Sequence, residues 1–313
     1  MTTERAASSA HSASSAFAVV LSGTGGVWKV READGTTHDA SLRGRLKIAD
    51  NLKLSVGDHV LLEHDSAVAI AEILPRHSTL ARRAPGNRHQ SRVVVANIDQ
   101  VVVVFAVVKP EPHRRMLDRF LVIAESNAIP ARIVVNKVDL DPRADEQFAD
   151  YERAGYPVHY TSAKRALGLE SLGAAFAGRV SALTGPSGVG KSSLLNAIYP
   201  GLDLRVGEIS ESVNKGRHTT VGALMHPLPD GGYVVDTPGL REVGIWGLDA
   251  GELAACFPEF RAALGECRFN DCRHVIEPGC AVRELLAKGV VSAARYDSFL
   301  RLLEEESGAP ERE

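Results

Sequence analysis

The feature that most constrains the fold is the stretch Gly185-Pro186-Ser187-Gly188-Val189-Gly190-Lys191-Ser192, which fits the pattern G-x-x-x-x-G-K-[ST]. An apolar strand pattern at residues 180–183 precedes it, and an apolar helical pattern follows it. Glycines let backbone N–H groups turn toward phosphate oxygens, and the following helix N-terminus adds a positive partial charge. The stretch therefore predicts a phosphate-binding loop, and we assign the flanking Thr184 and Ser193 to the same candidate site.

Strand patterns alternate with helical patterns between residues 97 and 244, which predicts a mostly parallel sheet. The amphipathic run Arg114–Ser126 is the clearest helix. The predicted strands are residues 101–108, 133–135, 180–183 and 233–235.

The first part of the chain differs, because short apolar runs alternate with turn signals. Strands are predicted at residues 17–21, 27–31, 59–62 and 68–73, and they favour a small barrel for which an OB-fold is one candidate. Residues 76–96 contain arginines at positions 76, 82, 83, 88 and 92 and no acidic residue, so we expect a basic linker there. These arginines, with Arg43, Arg45 and Lys47, could contact RNA phosphates or could simply be solvated.

A second phosphate-site motif, Asp236-Thr237-Pro238-Gly239, follows the strand pattern at residues 233–235. A carboxylate at the carboxyl end of a parallel strand can hold Mg²⁺ through water, and the Gly239 N–H can reach a γ-phosphate. The pattern D-x-x-G is weak alone, but it gains weight from its place after a strand and downstream of the phosphate loop. Lys191 would reach the β- and γ-phosphates, and the Ser192 hydroxyl would bind Mg²⁺.

Two further motifs indicate that the nucleotide base is guanine. Asn136-Lys137-Val138-Asp139 follows the strand pattern at residues 133–135 and resembles the guanine-reading motif of the translation-factor-like GTPases. Thr161-Ser162-Ala163-Lys164 follows another short strand. Guanine presents two adjacent donors that an ionised Asp139 can accept, whereas adenine lacks them. The Lys137 stem can cover the base or ribose. The stretch at residues 161–164 resembles the second base motif of GTPases, which is weak alone and in which the alanine N–H, here that of Ala163, contacts guanine O6. The alternative for residues 136–139 is a solvated loop.

The order of these motifs along the chain is unusual. In ordinary GTPases the phosphate loop comes first, whereas here the base motifs at residues 136 and 161 precede it. This order predicts a circular permutation, which preserves a fold whose original termini lie close together.

The C-terminal part contains a cluster of potential metal ligands, namely Cys267, Cys272, His274 and Cys280. Three thiolates and one imidazole form a closed tetrahedral zinc site of the structural type. The alternative is a set of reduced thiols, and Cys256 lies outside the spacing as an expected core thiol.

Together these elements resemble the ribosome small-subunit-dependent GTPase family known as RsgA or YjeQ. The resemblance covers nearly the whole chain after residue 16 and includes the segment Gly216-Arg217-His218-Thr219-Thr220. It implies GTP hydrolysis stimulated by the small (30S) ribosomal subunit, binding to that subunit and its rRNA, and a role in its late maturation.

The fold class we expect is α/β, with a circularly permuted P-loop GTPase domain at residues 97–244. An OB-type β-barrel at residues 16–75 and a helical zinc-binding domain at residues 245–313 would flank it. We expect residues 1–15 to be a disordered tail and residues 76–96 to be the linker.

The segment at residues 216–220 lies where the first switch of a GTPase should be. A threonine there can be a second Mg²⁺ ligand beside Ser192, and the alignment with related permuted GTPases that the resemblance implies favours Thr219 over Thr220. Leu240 follows Gly239 where many GTPases have a glutamine that orients the attacking water. His218 is the nearest substitute and the candidate catalytic residue; alternatively, it is a loop histidine without such a role.

The composition restricts the remaining possibilities. The net charge is −3, so nucleic-acid binding must use local patches rather than a global positive field. No apolar run approaches the ~20 residues of a membrane span, and we expect a cytoplasmic monomer. Two other functions remain open: a ribosome-binding module that uses GTP as a latch with negligible turnover, and an ATP-using P-loop enzyme, which conflicts with Asp139.

Overall fold

The computed structural model describes residues 15–44, 53–84, 87–204, 223–236 and 248–306. Over these ranges the chain forms a β-barrel, a two-stranded hairpin, a six-stranded sheet with helices on both faces, and a helical C-terminal region. No helix within the described ranges is long and apolar enough to cross a membrane.

Five strands close the N-terminal barrel in the order β1-β2-β3-β5-β4. They are β1 at Ser15–Thr24, β2 at Val27–Glu32, β3 at Thr37–Leu42, β4 at His59–His64 and β5 at Val68–Ile73. The barrel confirms the OB-type architecture and the four predicted strands. Strand β3 was missed because its sequence, THDASL, has only two apolar residues, Ala40 and Leu42, and so shows little apolar pattern.

The predicted basic linker is wrong in its secondary structure, because most of it forms an antiparallel hairpin. Strand β6, Thr79–Ala84, pairs with β7, Asn87–Ala96. Leu80 and Val95 face each other in this register and are fully buried in the main core. Packing of these two side chains in the core therefore stabilises the strands. The arginines, which suggested a linker, hide the strand pattern in the sequence.

The central sheet has the strand order β10-β9-β8-β11-β13-β12, and only β12 runs antiparallel to its neighbour. Its strands are β8 Gln100–Ala106, β9 Ala131–Asn136, β10 Val158–Tyr160, β11 Val180–Thr184, β12 Leu224–Pro227 and β13 Tyr233–Asp236. In the part of the chain that the structure describes, four helices cover it: α1 Arg114–Ser126, α2 Ala144–Arg153, α3 Leu169–Phe176 and α4 Lys191–Ile198.

Strand β8 shows why this sheet is buried on both faces. Val101, Val103 and Phe105 belong to one hydrophobic core, and the alternate residues Val102 and Val104 belong to the other. Since successive side chains of a strand point to opposite faces, a continuous apolar run is what a central strand between two helical layers requires.

The C-terminal region, from residue 248 to 306, contains helices and no described strand, as predicted. Its elements are α5 Ala250–Ala255, a 3₁₀ helix Pro258–Ala263, α6 Ala281–Ala287 and α7 Ala293–Glu306. Phe257, Phe260 and Phe299 pack together and share one hydrophobic core with Leu117 and Phe120 of α1. The region is therefore packed against the parallel sheet domain through α1.

A buried ion pair reinforces this contact. The Arg295 guanidinium on α7 pairs with Asp118 on α1 and with Glu259, whose Oε1 lies 2.6 Å from the Arg295 Nε. The Arg295 Cζ also lies 4.6 Å from the centroid of the Phe257 ring, a distance that allows a cation–π contact. Arg295 and Asp118 are 2 % and 1 % exposed, so neither charge is compensated by bulk water.

We expect Arg295→Met to lower the free energy of unfolding by about 3–5 kcal/mol, because two buried carboxylates would lose their counter-charge. Urea denaturation of the full chain, followed by circular dichroism, measures this loss. Arg301→Met is the matched control, since Arg301 pairs with Asp297 at the exposed surface of the same helix. The control should change stability by less than about 1 kcal/mol, and equal losses would contradict a special role for the buried pair.

Candidate nucleotide and metal sites

The predicted phosphate loop connects β11 to α4, and its glycines meet steric demands that other residues cannot. Gly185, Gly188 and Gly190 all have positive φ angles, of 135°, 77° and 97°. A Cβ atom on Gly185 would lie 2.0 Å from the carbonyl oxygen of Val104 on β8. The loop can therefore pass this close to the neighbouring strand only with glycine at position 185.

The candidate phosphate ligands lie at the start of α4. Lys191 and Ser192 are buried, Pro186 is partly exposed, and Ser187 lies at the exposed tip of the loop. The Lys191 ammonium curls back over the loop and donates hydrogen bonds to the carbonyl oxygens of Gly185, at 2.9 Å, and Pro186, at 2.8 Å. This arrangement places a cation and a helix N-terminus together, which is the chemistry of an anion site.

Asn136, at the end of β9, connects the base motifs to the phosphate loop. Its Nδ2 donates to the carbonyl oxygen of Val189 at 2.8 Å. Its Oδ1 accepts a hydrogen bond from the Ala163 N–H at 3.3 Å. The asparagine is 2 % exposed, so these contacts form away from water. Three motifs from separate parts of the sequence are thus held together by one side-chain amide.

Lys137 makes a second connection to the same loop. It has a left-handed backbone conformation, with φ at 64°, and its Nζ donates to the carbonyl oxygen of Gly188 at 2.7 Å. The ammonium also donates to the carbonyl oxygen of Lys109, which follows β8. Partial burial lowers the pKa of Lys137. The sequence did not predict this contact of Lys109, since no motif marks a residue that contributes only its backbone.

Asp139 lies at the exposed side of this site, and Val138 begins the short turn that presents it. The buried Ser162 hydroxyl donates to Asp139 Oδ1 at 2.5 Å, which holds the pKa of the aspartate below its usual value. The carboxylate is therefore ionised and oriented, as acceptance of two donors from a guanine base requires. Lys164, the last residue of the second base motif, is exposed.

The candidate magnesium ligands are only partly within the described residues. Asp236 ends β13 directly opposite Leu183 of β11, so its carboxylate lies at the sheet edge that carries the phosphate loop. A serine hydroxyl and a carboxylate are oxygen donors of the kind that Mg²⁺ prefers. Thr219, Gly239 and the catalytic candidate His218 lie outside the described residues.

Four C-terminal side chains converge as predicted for a metal site. The ligand atoms of Cys267, Cys272, His274 and Cys280 all lie within 4.8 Å of one another. The His274 Nδ1 is 3.4 Å from the Cys280 Sγ and 3.5 Å from the Cys267 Sγ. Burial lowers the pKa of His274, which favours the neutral imidazole that a metal ion requires. This group could hold one metal ion.

Two residues that the sequence did not single out shape the metal loop. The Glu277 carboxylate accepts hydrogen bonds from the backbone N–H groups of Arg273, Val275 and Ile276. Burial would raise the pKa of Glu277, but these hydrogen bonds outweigh it and lower the pKa to about 2. The Tyr296 hydroxyl on α7 donates to the His274 carbonyl oxygen at 2.6 Å and so ties the loop to the last helix.

Two of the candidate RNA-contacting arginines make ion pairs within the barrel. Arg76 pairs with the fully buried Asp58, and the Nε–Oδ1 distance is 2.6 Å. Arg43 pairs with Glu63. Arg76 is therefore a structural residue rather than a free phosphate ligand, while Arg45 and Lys47 lie outside the described residues.

A comparison with protein families decides the identity of this fold and site. The sequence model of the RsgA GTPase family matches residues 73–246, which is more than half of the 313 residues. The chain belongs to the RsgA GTPase family. It is therefore a GTPase, and its base motifs precede its phosphate loop within the matched range.

Proteins related to this RsgA-family chain match it over most of their length. One from Gemmatimonas aurantiaca, named small ribosomal subunit biogenesis GTPase RsgA, is 58 % identical over 93 % of this chain and 97 % of its own. Proteins of the same name from Bacteroides fragilis and Chromohalobacter salexigens are 36 % and 41 % identical, over 92 % and 85 % of this chain and 96 % and 80 % of their own.

Two solved structures have the same architecture. YjeQ from Thermotoga maritima superposes with a TM-score of 0.77 at 35 % identity, over 95 % of this chain and all of that chain. YloQ, described as a circularly permuted GTPase, gives 0.75 at 26 % identity, over 98 % of this chain and all of its own. These matches confirm the predicted fold class, including the permutation.

We expect Asp139→Asn to weaken GTP binding by more than about tenfold and to improve binding of xanthosine triphosphate, because the amide offers a different donor pattern. Calorimetric titration with each nucleotide measures the two affinities. Asp141→Asn, two residues along the same turn, is the matched control and should leave GTP affinity unchanged. Unchanged GTP affinity in Asp139→Asn would refute the assignment of the base motif.

Proposed function

We propose that this GTPase binds the small (30S) ribosomal subunit and acts in its late maturation, and that the subunit stimulates hydrolysis of GTP to GDP and phosphate. The observation that carries the proposal is the convergence of the phosphate loop and both base motifs on Asn136 within an RsgA-family fold. The names of the relatives, which specify small-subunit biogenesis, support the choice of partner.

The positions of the predicted residues support a division of labour in the nucleotide site. Residues 184–193 would hold the phosphates, with Lys191 as their counter-charge and Ser192 as a Mg²⁺ ligand. Thr219 would complete the metal shell, and Asp236 would hold it through water. Residues 136–139 and 162–164 would hold the guanine base, with Asp139 as the residue that distinguishes it from adenine.

The hydrolytic step needs a residue that positions the attacking water. Leu240 cannot hydrogen-bond a water molecule, so intrinsic hydrolysis should be slow. We assign His218 to this role, since its imidazole can accept a proton or orient the water. If His218 has no such role, no residue replaces the glutamine whose position Leu240 occupies. The protein would then be a latch that binds GTP and barely hydrolyses it.

We assign one structural Zn²⁺ ion to the cysteine–histidine cluster. Three cysteines and one histidine supply four soft and borderline ligands and leave no open position, which is the pattern of a structural zinc site. The short separations between the ligand atoms support this assignment. The ion would stabilise the loop between the 3₁₀ helix and α6. We further propose that the protein is a cytoplasmic monomer and that it contacts the rRNA of the subunit.

Nucleotide turnover with and without purified 30S subunits distinguishes the candidate functions. We expect GTP turnover to rise in the presence of subunits, ATP turnover to stay negligible, and His218→Ala to lose ~10²-fold of the stimulated rate while it still binds GTP. His113→Ala is a control on an exposed histidine. Absence of subunit stimulation in the wild-type protein would support the latch, and full activity of His218→Ala would remove the catalytic assignment.

The zinc assignment has its own test. We expect about one zinc per chain by elemental analysis, and Cys272→Ala should lose most of it and destabilise the C-terminal region, because the site contributes to folding. Cys256→Ala removes a buried thiol outside the cluster and should retain the ion. The assignment would be contradicted if the purified wild-type protein contained no zinc, or if the Cys272→Ala variant kept its zinc.

A further inference from the structure

One end of the N-terminal barrel is closed by polar side chains instead of apolar ones. Glu32 follows the buried Val30 by two residues on β2, and His64 follows the buried Leu62 by two residues on β4. His38 precedes the buried Ala40 by two residues on β3. Since side chains two apart on a strand share a face, all three belong to the inward face of the barrel.

These three side chains meet at one point. The Glu32 Oε1 lies 2.8 Å from the His38 Nε2 and 3.0 Å from the His64 Nε2. The two imidazole rings stand nearly edge to face, with centroids 5.2 Å apart. None of the three is fully buried, since their side chains are 17 %, 26 % and 39 % exposed, so the group is reachable from water.

We propose that Glu32, His38 and His64 form a second metal site, for a divalent first-row transition ion, at this polar end of the barrel. Two histidines and one carboxylate on one face of an ion are an established ligand set that leaves further positions to water. Adjacent ligands on an octahedral ion with bonds of about 2.1 Å lie about 3.0 Å apart. The observed separations from Glu32 Oε1 agree with that spacing.

Binding requires little rearrangement of this group. Each Nε2 would present its lone pair to the ion instead of an N–H to the carboxylate, with the proton on Nδ1. The ion would take the place of these two protons between the imidazoles and Glu32. Arg31, the neighbour of Glu32, lies on the other face of β2 and donates toward the Tyr233 hydroxyl, so its positive charge is directed away from the site.

The site would join β4 to two strands, β2 and β3, with which β4 does not pair. Glu32 and His38 belong to the β2–β3 hairpin, whereas β4 is bonded only to β1 and β5 within the described barrel. An ion held by all three residues therefore cross-links opposite sides of the barrel end. This makes the stability of the barrel, rather than GTP turnover, the property that depends on the ion.

The test uses full-length protein whose cysteine cluster has been saturated with zinc, titrated with Ni²⁺ in a calorimeter. We expect one Ni²⁺ per chain, and His38→Gln/His64→Gln should bind it at least tenfold more weakly. His59→Gln/His77→Gln is the matched control. It removes the imidazole of His59, at the opposite end of β4 from His64, and that of its neighbour His77, and it should bind Ni²⁺ as the wild type does. Equal affinity in wild type and triad variant, or equal loss in the control, would overturn the proposal.

Two measurements keep the test decisive if the double variant fails to fold. Glu32→Gln keeps an oxygen that can accept from an imidazole but removes the charge, and it should also weaken Ni²⁺ binding at least tenfold. The X-ray absorption spectrum of the Ni²⁺-loaded wild type should show nitrogen and oxygen ligands only. Sulfur ligands in that spectrum, or unchanged affinity in Glu32→Gln, would place the ion elsewhere and refute the site.

Discussion

The amide of Asn136 is the contact on which the nucleotide site depends. One side chain with a donor and an acceptor holds the phosphate loop through Val189 and the second base motif through Ala163. A Cβ atom on Gly190 would lie 2.5 Å from the Asn136 Nδ2, so glycine at that position protects the same contact. Because a buried amide left without partners costs about 1–3 kcal/mol, the loop at residues 185–190 and the segment that contains Ala163 are constrained to form together.

The sheet explains why a permuted chain can build this site. The motifs follow β9, β10, β11 and β13, whose carboxyl ends lie at one edge whichever order the chain visits them. The C-terminal region is packed against this core and connected to it by side-chain contacts. Tyr296 ties the metal loop to α7, and Arg295 ties α7 to α1 through Asp118. The metal loop is therefore linked to α1 through α7.

Local patterns predicted the elements whose signals are strong within a few residues. The helix Arg114–Ser126 has the predicted bounds, and the strands before each motif are confirmed. The failures have a common cause. Strand β3 has too few apolar residues to be recognised, and the β6–β7 hairpin depends on Leu80 and Val95 packing against distant residues. Arg76 looked like a surface cation because its partner Asp58 is distant in sequence.

The sequence by itself determined the chemistry of this protein: a loop only glycine could form, a carboxylate suited to guanine, three cysteines and a histidine at fixed spacing, and the permuted order. Only the tertiary structure decided which side chains meet. Asn136 to Val189, Arg295 to Asp118, and Glu32 to His38 and His64 are pairings set by the register of strands and the packing of helices. The reason is physical, since hydrogen bonds and ion pairs act over a few ångströms of space, whatever the separation along the chain.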